Sequence, residues 1–450
     1  MATRPPAPPF AAPSPALGAR AGLAYGLLGL PLAFVALPLY VHLPHHYANT
    51  YGVPLAALGA LLLMARLFDA LTDPLLGRWS DSLFARSHRW VLWVGAVSAG
   101  VLLLGMVALF FPPAGVRAHL PAWVLLGLIV TYTAFSQLAI AHQSWAARLG
   151  GEPVWRAHIV AWREGAALVG VVLASVLPSV LGWLAWVTVF GLLLAGAWCA
   201  WWWAPVPPTP RDAALPTTSR PWAQSLAHPW RQRPFRRLLG VFVLSGLASA
   251  MPATLVLFFI QDRLGAADWE PVFLATYFVA AAASMPLWLR RVRHWGLART
   301  WLAGMLLACA TFIWAATLGQ GDVWGFWLVC ALSGLALGTD LALPSALLAG
   351  LIAQQGDQGQ REGAYFGWWN LATKLNLALA AGLALPLLGW LGYVPGQHTE
   401  SGLRALTWAY AVVPCAIKLA AAALLYGYFA RHPPLAETAH PAALTPKETP

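Results

Sequence analysis

Long apolar stretches follow one another along almost the whole of this 450-residue chain. A helix needs roughly 20 such residues to cross the hydrocarbon core of a bilayer. Helix is also the element that satisfies its own backbone hydrogen bonds in lipid, and the alternating pattern of a membrane barrel is not seen. We therefore predict an all-α membrane protein with twelve transmembrane helices, near residues 21–44, 54–76, 90–111, 121–146, 158–180, 183–203, 236–260, 271–289, 299–318, 323–352, 364–390 and 405–430.

The longest hydrophilic stretch between these helices lies at the midpoint of the chain. It is Pro-rich at its start and ends in a cluster of arginines, which is typical of a linker between two membrane-embedded halves. We expect two six-helix halves, the arrangement of the major facilitator fold. The expected boundaries are an N-terminal tail at 1–20, a half at 21–203, a linker at 204–235, a half at 236–430 and a tail at 431–450.

The net charge of +11 does not indicate a nucleic-acid partner, because the basic residues are distributed by side of the membrane. With the N-terminus in the cytoplasm, the loops on the opposite side hold three of the 27 Lys and Arg residues, Arg117, Arg263 and Arg404. Positive residues are retained on the cytoplasmic side of membrane proteins. We therefore expect a multi-pass protein of the bacterial inner membrane with both termini in the cytoplasm.

The second predicted helix carries three charged residues, Arg66, Asp69 and Asp73, in the run LLLMARLFDALTDPLLG. Spacings of three and four place them on one helical face. Two carboxylates one turn apart in an apolar setting repel each other unless a cation or proton lies between them. This pattern favours an oxygen-lined site for a hard cation or a proton. The alternative is an ion-pair network at the helix end, with Asp73 as a cap and Pro74 as a kink.

Other charged residues lie at membrane depth, where a charge costs ~2.5–3.5 kcal/mol on insertion scales. Lys374, flanked by asparagines on the eleventh helix, is expected to act in gating or coupling, and so is Arg66 on the second helix. Arg163 is either a coupling residue or a side chain that extends to the membrane surface beside Glu164. Asp340 could pair with Lys374, line the path or cap a broken helix. For Lys418 we expect extension to the surface or a local hydrogen bond.

Aromatic and polar residues on several helices are candidates to line a substrate cavity. Packing or anchoring at the membrane surface is the alternative for the tryptophans, since the chain has 26 of them. The candidates are Tyr25, Tyr132, Ser136, Gln137, Trp369 and Asn370.

The second helix resembles the signature of the glycoside–pentoside–hexuronide:cation symporters, the melibiose-permease-like family of the major facilitator superfamily. That signature, an Arg followed by Asp-Ala-x-x-Asp-Pro and a Gly, is matched by Arg66, Asp69, Ala70, Asp73, Pro74 and Gly77. The Thr-Tyr-Thr of the fourth helix is matched at 131–133, the helix 5 Arg at Arg163 and the helix 11 Lys at Lys374.

The resemblance implies a symporter in which Asp69, Asp73 and Thr133 hold Na⁺, Li⁺ or H⁺ and Lys374 links that site to substrate. The family's Asn between the two carboxylates is Thr72 here, which we take as a further candidate cation ligand. This difference leaves Na⁺ and H⁺ as alternatives.

The resemblance leaves two substrate classes open. The acidic residues that grip sugar hydroxyls in the family fall at Ala33 and Ser136. A hydrogen bond to a charged group contributes ~1.5–3 kcal/mol, so their loss weakens the case for an ordinary disaccharide. Relatives that move lysophospholipids make an amphipathic solute the alternative to a glycoside.

Two further functional classes are weighed against a symporter. A membrane enzyme is disfavoured, because the sequence has no nucleophile–base constellation, phosphate-binding loop or metal cluster. A non-transporting scaffold is disfavoured by the joint presence of Asp69, Asp73 and Lys374. We therefore expect no cofactor beyond the coupling ion, a small-molecule or amphipathic substrate, the lipid bilayer as surroundings, no nucleic acid and a monomeric transport unit.

Overall fold

The computed structural model describes residues 18–208, 222–394, 396 and 399–431, and all of its regular elements are helical in that part of the chain. The predicted all-α class is therefore confirmed. The helices are α1 (Ala19–Gly26), α2 (Gly29–Leu37), α3 (Leu43–Tyr51), α4 (Leu55–Arg86), α5 (His88–Phe110), α6 (Leu120–Leu149), α7 (Pro153–Trp202), α8 (Trp222–Arg231), α9 (Arg233–Phe258), α10 (Glu270–Phe312), α11 (Val323–Gln354), α12 (Glu362–Trp390), α13 (Glu400–Thr407) and α14 (Val413–Leu425).

Some membrane crossings are assembled from several helical pieces. The first runs through α1, α2, a π-helical turn at Pro38–His42, and α3. The last runs through α13, a π-helical turn at Trp408–Val412, and α14. Proline and π-turns interrupt the regular backbone hydrogen bonds and bend a helix. These breaks explain why an apolar stretch that reads as one span in the sequence consists of shorter helices.

Two of the long helices turn back on themselves at a glycine. Gly182 in α7 has φ 75° and ψ 168°, and Gly296 in α10 has φ 74° and ψ 172°. Positive φ at such a position is readily adopted by glycine, which has no Cβ. Each of these helices therefore supplies two crossings, close to the breaks that the sequence predicts between 180 and 183 and between 289 and 299.

Ten helical segments of the described chain are long and apolar enough to cross a membrane. The segment Ala267–Thr317 counts once among them although it turns at Gly296. The 32-residue α4 is not among the ten, because its arginines and aspartates reduce its apolar character. The prediction of twelve crossings is compatible with this arrangement, although the number twelve is not itself established.

Aromatic side chains fill the interior of the first half. Phe34 on α2 stacks on Trp186 of α7 with ring centroids 4.9 Å apart and an angle of 9° between the rings. In the second half, Phe259 stacks on Tyr410 at 4.2 Å. Offset aromatic pairs add roughly 0.5–1.5 kcal/mol beyond the burial of their area. Each half thus has its own packed interior, and the halves meet where α4 packs on α12 and where α7 packs on α10 and α11.

The predicted linker contains a helix, α8, which packs beneath the helical bundle. The indole of Trp368 on α12 donates to the carbonyl of Leu226, 3.0 Å away. His228 lies 2.9 Å from a carboxylate oxygen of Asp357. The helix also touches α4 of the first half. We call this side of the bundle, with residues 203–208 and α8, the linker end. The tails at 1–17 and 432–450 and the linker segment 209–221 lie outside the described residues, and the domain boundaries remain a prediction.

Close packing at Gly170 gives a test of the fold. A Cβ at this position on α7 would overlap the backbone carbonyl of Leu30. We expect Gly170→Ala to lower the melting temperature, since overpacking costs roughly 1–3 kcal/mol. Gly100→Ala is the control, because a Cβ there meets nothing within 4 Å. There the usual helical gain of alanine over glycine, ~0.5–1 kcal/mol, should leave stability unchanged or higher. Equal melting temperatures for the two variants would contradict the packing of α2 on α7.

Candidate functional site

A cluster of three charged side chains joins the two halves near the middle of the bundle. The Nζ of Lys374 on α12 lies 2.6 Å from Asp69 Oδ2 and 2.8 Å from Asp73 Oδ1, both on α4. Asp69 is 3% exposed and Asp73 is fully buried. Buried charges are tolerated when they are paired and hydrogen-bonded. The ammonium therefore lies between the two carboxylates, where the sequence predicts a cation or proton.

Ser136 on α6 completes this cluster. Its hydroxyl donates to Asp69 Oδ1 at 2.7 Å and accepts a hydrogen bond from Lys374 Nζ at 2.8 Å. The side chain is 2% exposed. The sequence predicts Ser136 as a substrate-lining residue, and the structure places it against the charged cluster. We call these four side chains, Asp69, Asp73, Ser136 and Lys374, the central cluster.

The predicted hydroxyl ligands near the central cluster are engaged with backbone atoms. Thr72 donates to the carbonyl of Asp69 at 3.0 Å, and Thr133 donates to the carbonyl of Ile129 at 2.7 Å. Arg66, one turn before Asp69, is half-buried. The roles predicted for these three residues remain predictions.

Arg163 makes its ion pair outside the central cluster. Its guanidinium forms an ion pair with the adjacent Glu164, with Nε 2.9 Å from Oε1. Both side chains are largely buried, with 13% and 17% of their surface exposed. Glu164 is thus the partner of Arg163, but the pair is largely buried and does not extend to the membrane surface, and a coupling role for Arg163 remains a prediction.

Asp340 and Lys418 form a second buried ion pair inside the second half. Asp340 on α11 also accepts a hydrogen bond from the Trp301 indole at 2.7 Å, and Lys418 donates to Ser249 at 2.9 Å. The structure therefore pairs Asp340 with Lys418 and not with Lys374. Of the two alternatives for Lys418, the structure shows hydrogen bonding at depth and not extension to the membrane surface, because this lysine is 5% exposed and contacts Asp340 and Ser249.

The remaining candidates for substrate contact are placed within helix–helix contacts. Tyr25 stacks on His142, with ring centroids 4.1 Å apart, and donates to its backbone carbonyl at 3.0 Å. Trp369 stacks on Phe242 at 3.8 Å. The packing of Trp369 corresponds to the alternative that the sequence leaves open for the tryptophans. Tyr132 and Gln137 are likewise buried.

Asn370, like Ser136, makes a contact between the two halves. Its amide nitrogen donates to Gln143 Oε1 on α6 at 2.9 Å, one turn from Lys374 along α12. Sequence reasoning did not single out Gln143. The pair extends the contact between the halves from the central cluster toward the linker end.

A second charged cluster closes the linker end, and sequence reasoning missed it. Arg148 on α6 pairs with Asp81 on α4 at 2.8 Å and with Glu362 on α12 at 3.0 Å. It also donates to the carbonyl of Gly359. Asp81 in turn accepts hydrogen bonds from the backbone amides of Gly363 at 2.7 Å and Ala364 at 2.9 Å. We call Asp81, Arg148 and Glu362 the gate cluster. The sequence signal for it is the charged run after the second helix.

Glycines let α4 and α12 approach closely between the two clusters. A Cβ on Gly77 would overlap the carbonyl of Gly363, and a Cβ on Gly367 would lie 2.6 Å from the carbonyl of Asp73. Small residues at a helix–helix interface in a membrane permit such close backbone contact. The central cluster, the Asn370–Gln143 pair and the gate cluster join the halves between the middle of the bundle and the linker end. The linker end is thus closed in this structure.

Comparison with known proteins gives one family and several structural neighbours. The model of the family described as "MFS/sugar transport protein" matches residues 19–429. The inner membrane symporter YicJ of Escherichia coli (strain K12) is 22% identical over 299 residues, which cover 61% of this chain and 62% of that protein. The match thus spans less than two thirds of the relative's length.

Among solved structures, a bacterial homologue of the iron transporter ferroportin in an outward-facing state has a TM-score of 0.68 at 16% identity. It covers 91% of this chain and 98% of its own. The fucose:proton symporter FucP of E. coli has a TM-score of 0.63 at 13% identity, covering 90% and 98%. These likenesses, together with the family match, confirm the predicted major facilitator fold.

The gate cluster predicts a conformational effect of Arg148→Ala. The change leaves Asp81 and Glu362 buried without this partner, and breaking a buried pair costs roughly 3–5 kcal/mol. We therefore expect the linker end to open. Spin labels at positions 86 and 360, in a background lacking Cys199, should then lie further apart when their distance is measured by double electron–electron resonance. Arg404→Ala is the control, since its pair with Glu400 is 70% and 81% exposed and contributes little. An unchanged distance distribution in Arg148→Ala would show that these charges do not hold the linker end closed.

Proposed function

Because this chain belongs to the MFS/sugar transport protein family, we propose that it is a secondary transporter that couples a monovalent cation to the movement of a small organic solute. The observation that supports this proposal is the position of the Lys374 ammonium. It lies between Asp69 and Asp73, within hydrogen-bonding distance of both. A coupling ion would need these same oxygens.

The central cluster has the properties of a site with two competing occupants. A protein-borne ammonium and an external cation are both attracted by the same buried carboxylates, since opposite charges within ~4–6 Å favour the ionised forms. When the external cation binds, Lys374 must move away from Asp69 and Asp73. This movement releases α12 of one half from α4 of the other half. Binding of the cation is thereby linked to the relative position of the halves.

Coupling to a solute follows from the same displacement. A ligand shifts a conformational equilibrium only through its different affinity for the two states. The cation changes the position of Lys374, and Asn370, one turn away, also bridges the halves through Gln143. A solute that binds between these helices would meet a different arrangement with and without the cation. The linkage is reciprocal, so the solute raises the affinity of the cation by the same factor.

For the ion we propose Na⁺, Li⁺ or H⁺. The candidate ligands are carboxylate and hydroxyl oxygens, which suit hard cations and protons. In the described chain, no group of three or more His, Cys, Asp or Glu side chains lies together as a metal-binding group. The arrangement therefore gives no support to carrying the iron of the structural neighbour over to this chain.

For the solute we propose a glycoside-type sugar, in line with the description of the family. The placement of Ser136 supports an amphipathic solute as the second candidate. At this position the family has a sugar-gripping carboxylate by resemblance, whereas here Ser136 is engaged with Asp69 and Lys374. Because hydroxyl-rich sugars draw much of their affinity from charged acceptors, the two classes must be compared directly.

The proposal predicts loss of ion-driven uptake in Asp73→Asn. The amide cannot supply a charged oxygen, and a hydrogen bond to a charged group contributes ~1.5–3 kcal/mol, equivalent to roughly a 10- to 100-fold change in affinity. Uptake of labelled glycosides and lysophospholipids is measured in proteoliposomes under imposed Na⁺ or H⁺ gradients. The solute that accumulates identifies the class, and the gradient that drives it identifies the ion.

The matched control is Asp268→Asn, which removes an exposed carboxylate outside the central cluster and should keep wild-type uptake. If wild type accumulates a solute and Asp73→Asn does so equally, the cation site is wrongly placed. If wild type moves no member of the panel under either gradient, the proposed substrate classes are wrong.

Competition between Lys374 and the cation gives a separate prediction. In Lys374→Ala the two carboxylates lose their ammonium partner, so we expect the coupling ion to bind more tightly. The melting temperature of this variant should rise more than that of wild type on addition of Na⁺ or Li⁺, or on lowering the pH if the ion is H⁺. Choline chloride at the same ionic strength controls for salt screening.

Lys418→Ala is the matched variant for this measurement, because it also removes a buried lysine from a carboxylate but lies outside the central cluster. It should be less stable than wild type and show no added response to the ion. Identical ion and pH responses in wild type and Lys374→Ala would argue against competition for one site.

A further inference from the structure

A groove of about 650 Å³ lies between α1, α7 and α10, away from both charged clusters. Its walls are mostly apolar, with Leu27 and Trp162 on one side and Met285 on the other. Leu23 and Val169 at its margin are each 51% exposed. Because these helices cross the membrane, exposed apolar side chains here face lipid. The groove is of the size that binds small organic ligands, roughly 300–1,000 Å³.

The length of the groove matches one leaflet of the bilayer. On α7 its lining runs from His158 to Val169, and on α10 from Ala282 to Arg293. Eleven residues of helix span about 16 Å at 1.5 Å per residue. Half of the roughly 30 Å hydrocarbon core is about 15 Å. The groove therefore begins at the linker end and stops near the middle of the membrane.

The basic lining residues are confined to the linker end of the groove. His158, Arg290 and Arg293 lie there, and no Asp or Glu is among the lining residues in the part of the chain that the structure describes. Basic pockets between transmembrane helices on the positive side of a membrane protein bind anionic lipid headgroups. The apolar part of the groove thus corresponds to the acyl chain of a lipid, and its basic end corresponds to the headgroup.

Packing keeps the groove open. A Cβ on Gly22 of α1 would overlap the indole of Trp162, so the side chain of this tryptophan is held against α1. Gly165, one turn further along α7, faces space, since a Cβ there would meet nothing within 4 Å. The close contact of α1 with α7 therefore forms one wall of the groove, and the space between α7 and α10 is not filled by side chains.

We propose that this groove binds one anionic phospholipid from the leaflet at the linker end. An acyl chain lies along α7 and α10, and the headgroup phosphate is bound by Arg290 and Arg293. The site joins α7 of the first half to α10 of the second half, so its occupancy depends on how the halves are arranged. The inference does not rest on the identity of the transported solute or of the coupling ion.

The test measures lipid binding to the delipidated full-length protein in detergent. Phosphatidylglycerol and phosphatidylcholine with identical acyl chains are titrated while the melting temperature is followed. We expect phosphatidylglycerol to bind wild type more tightly. Its affinity should fall about 10-fold or more in the double variant Arg290→Gln/Arg293→Gln, because hydrogen bonds to charged groups are lost. Gly165→Leu, which fills the groove, should weaken binding to a similar extent.

Two controls separate this site from general attraction to a basic surface. Arg291→Gln removes a neighbouring arginine that lies over the Trp295 ring, 5.3 Å from its centroid, and is not part of the groove. Gly196→Leu places the same side chain on another open helix surface. Both should bind phosphatidylglycerol as wild type does.

Four outcomes would overturn the proposal. The first is equal affinity for the two phospholipids. The second is weakening in the controls as large as in the groove variants, and the third is wild-type affinity in the groove variants. The fourth is proteoliposome transport of labelled lysophosphatidylglycerol that Gly165→Leu abolishes, which would make the groove a substrate path and not a site for a resident lipid.

Discussion

The ion pair of Lys374 with Asp69 and Asp73 is the interaction on which the arrangement of the two halves depends. Its members come from α4 and α12, which belong to different halves, and its carboxylates are almost completely removed from solvent. A buried carboxylate without a partner is strongly unfavourable. The central cluster therefore needs a positive charge in every state in which it stays buried, and either the chain or a bound ion must supply it.

The antiparallel register of α4 and α12 aligns the residues of both the central cluster and the gate cluster. Asp69 and Asp81 are twelve residues apart on α4, and Glu362 and Lys374 are twelve residues apart on α12. Twelve residues of helix span about 18 Å. When Lys374 is level with Asp69, Glu362 is accordingly level with Asp81, where Arg148 binds both. Gly77 and Gly367 allow the backbones to approach closely enough for these contacts. A shift of one helix along the other would break both clusters together.

The amino-acid sequence is sufficient to predict the helices and the centre of the site, but not the gate cluster. Most of the apolar stretches are long and separated by turns, so hydropathy makes most of the helices evident, although α4 falls short because of its charged residues. Asp69, Asp73 and Lys374 can be singled out because a charge within an apolar stretch needs a partner. Arg148 and Glu362 lie at helix ends, where charges are common, and nothing local shows that they bury each other.

Local patterns also do not predict which lysine pairs with Asp340. Lys374 and Lys418 both lie at membrane depth, and the choice between them depends on how α11, α12 and α14 pack. The tight backbone approach at Gly363 is likewise a property of two helices and not of one. Local patterns thus identify residues that need partners, whereas tertiary packing decides which partners they have.

The packing of α8 has a practical consequence for isolating single states of the protein. This helix covers the seam between α4 and α12, yet its hydrogen bonds are to residues of the second half, Asp357 and Trp368. When the linker end opens, α8 stays with the second half and leaves α4. An antibody fragment raised against the joint surface of α8 and α4 would therefore recognise only the closed linker end. The bound fragment would stabilise the conformation in which the linker end is closed. It would also add mass outside the bilayer, which helps image alignment in electron microscopy.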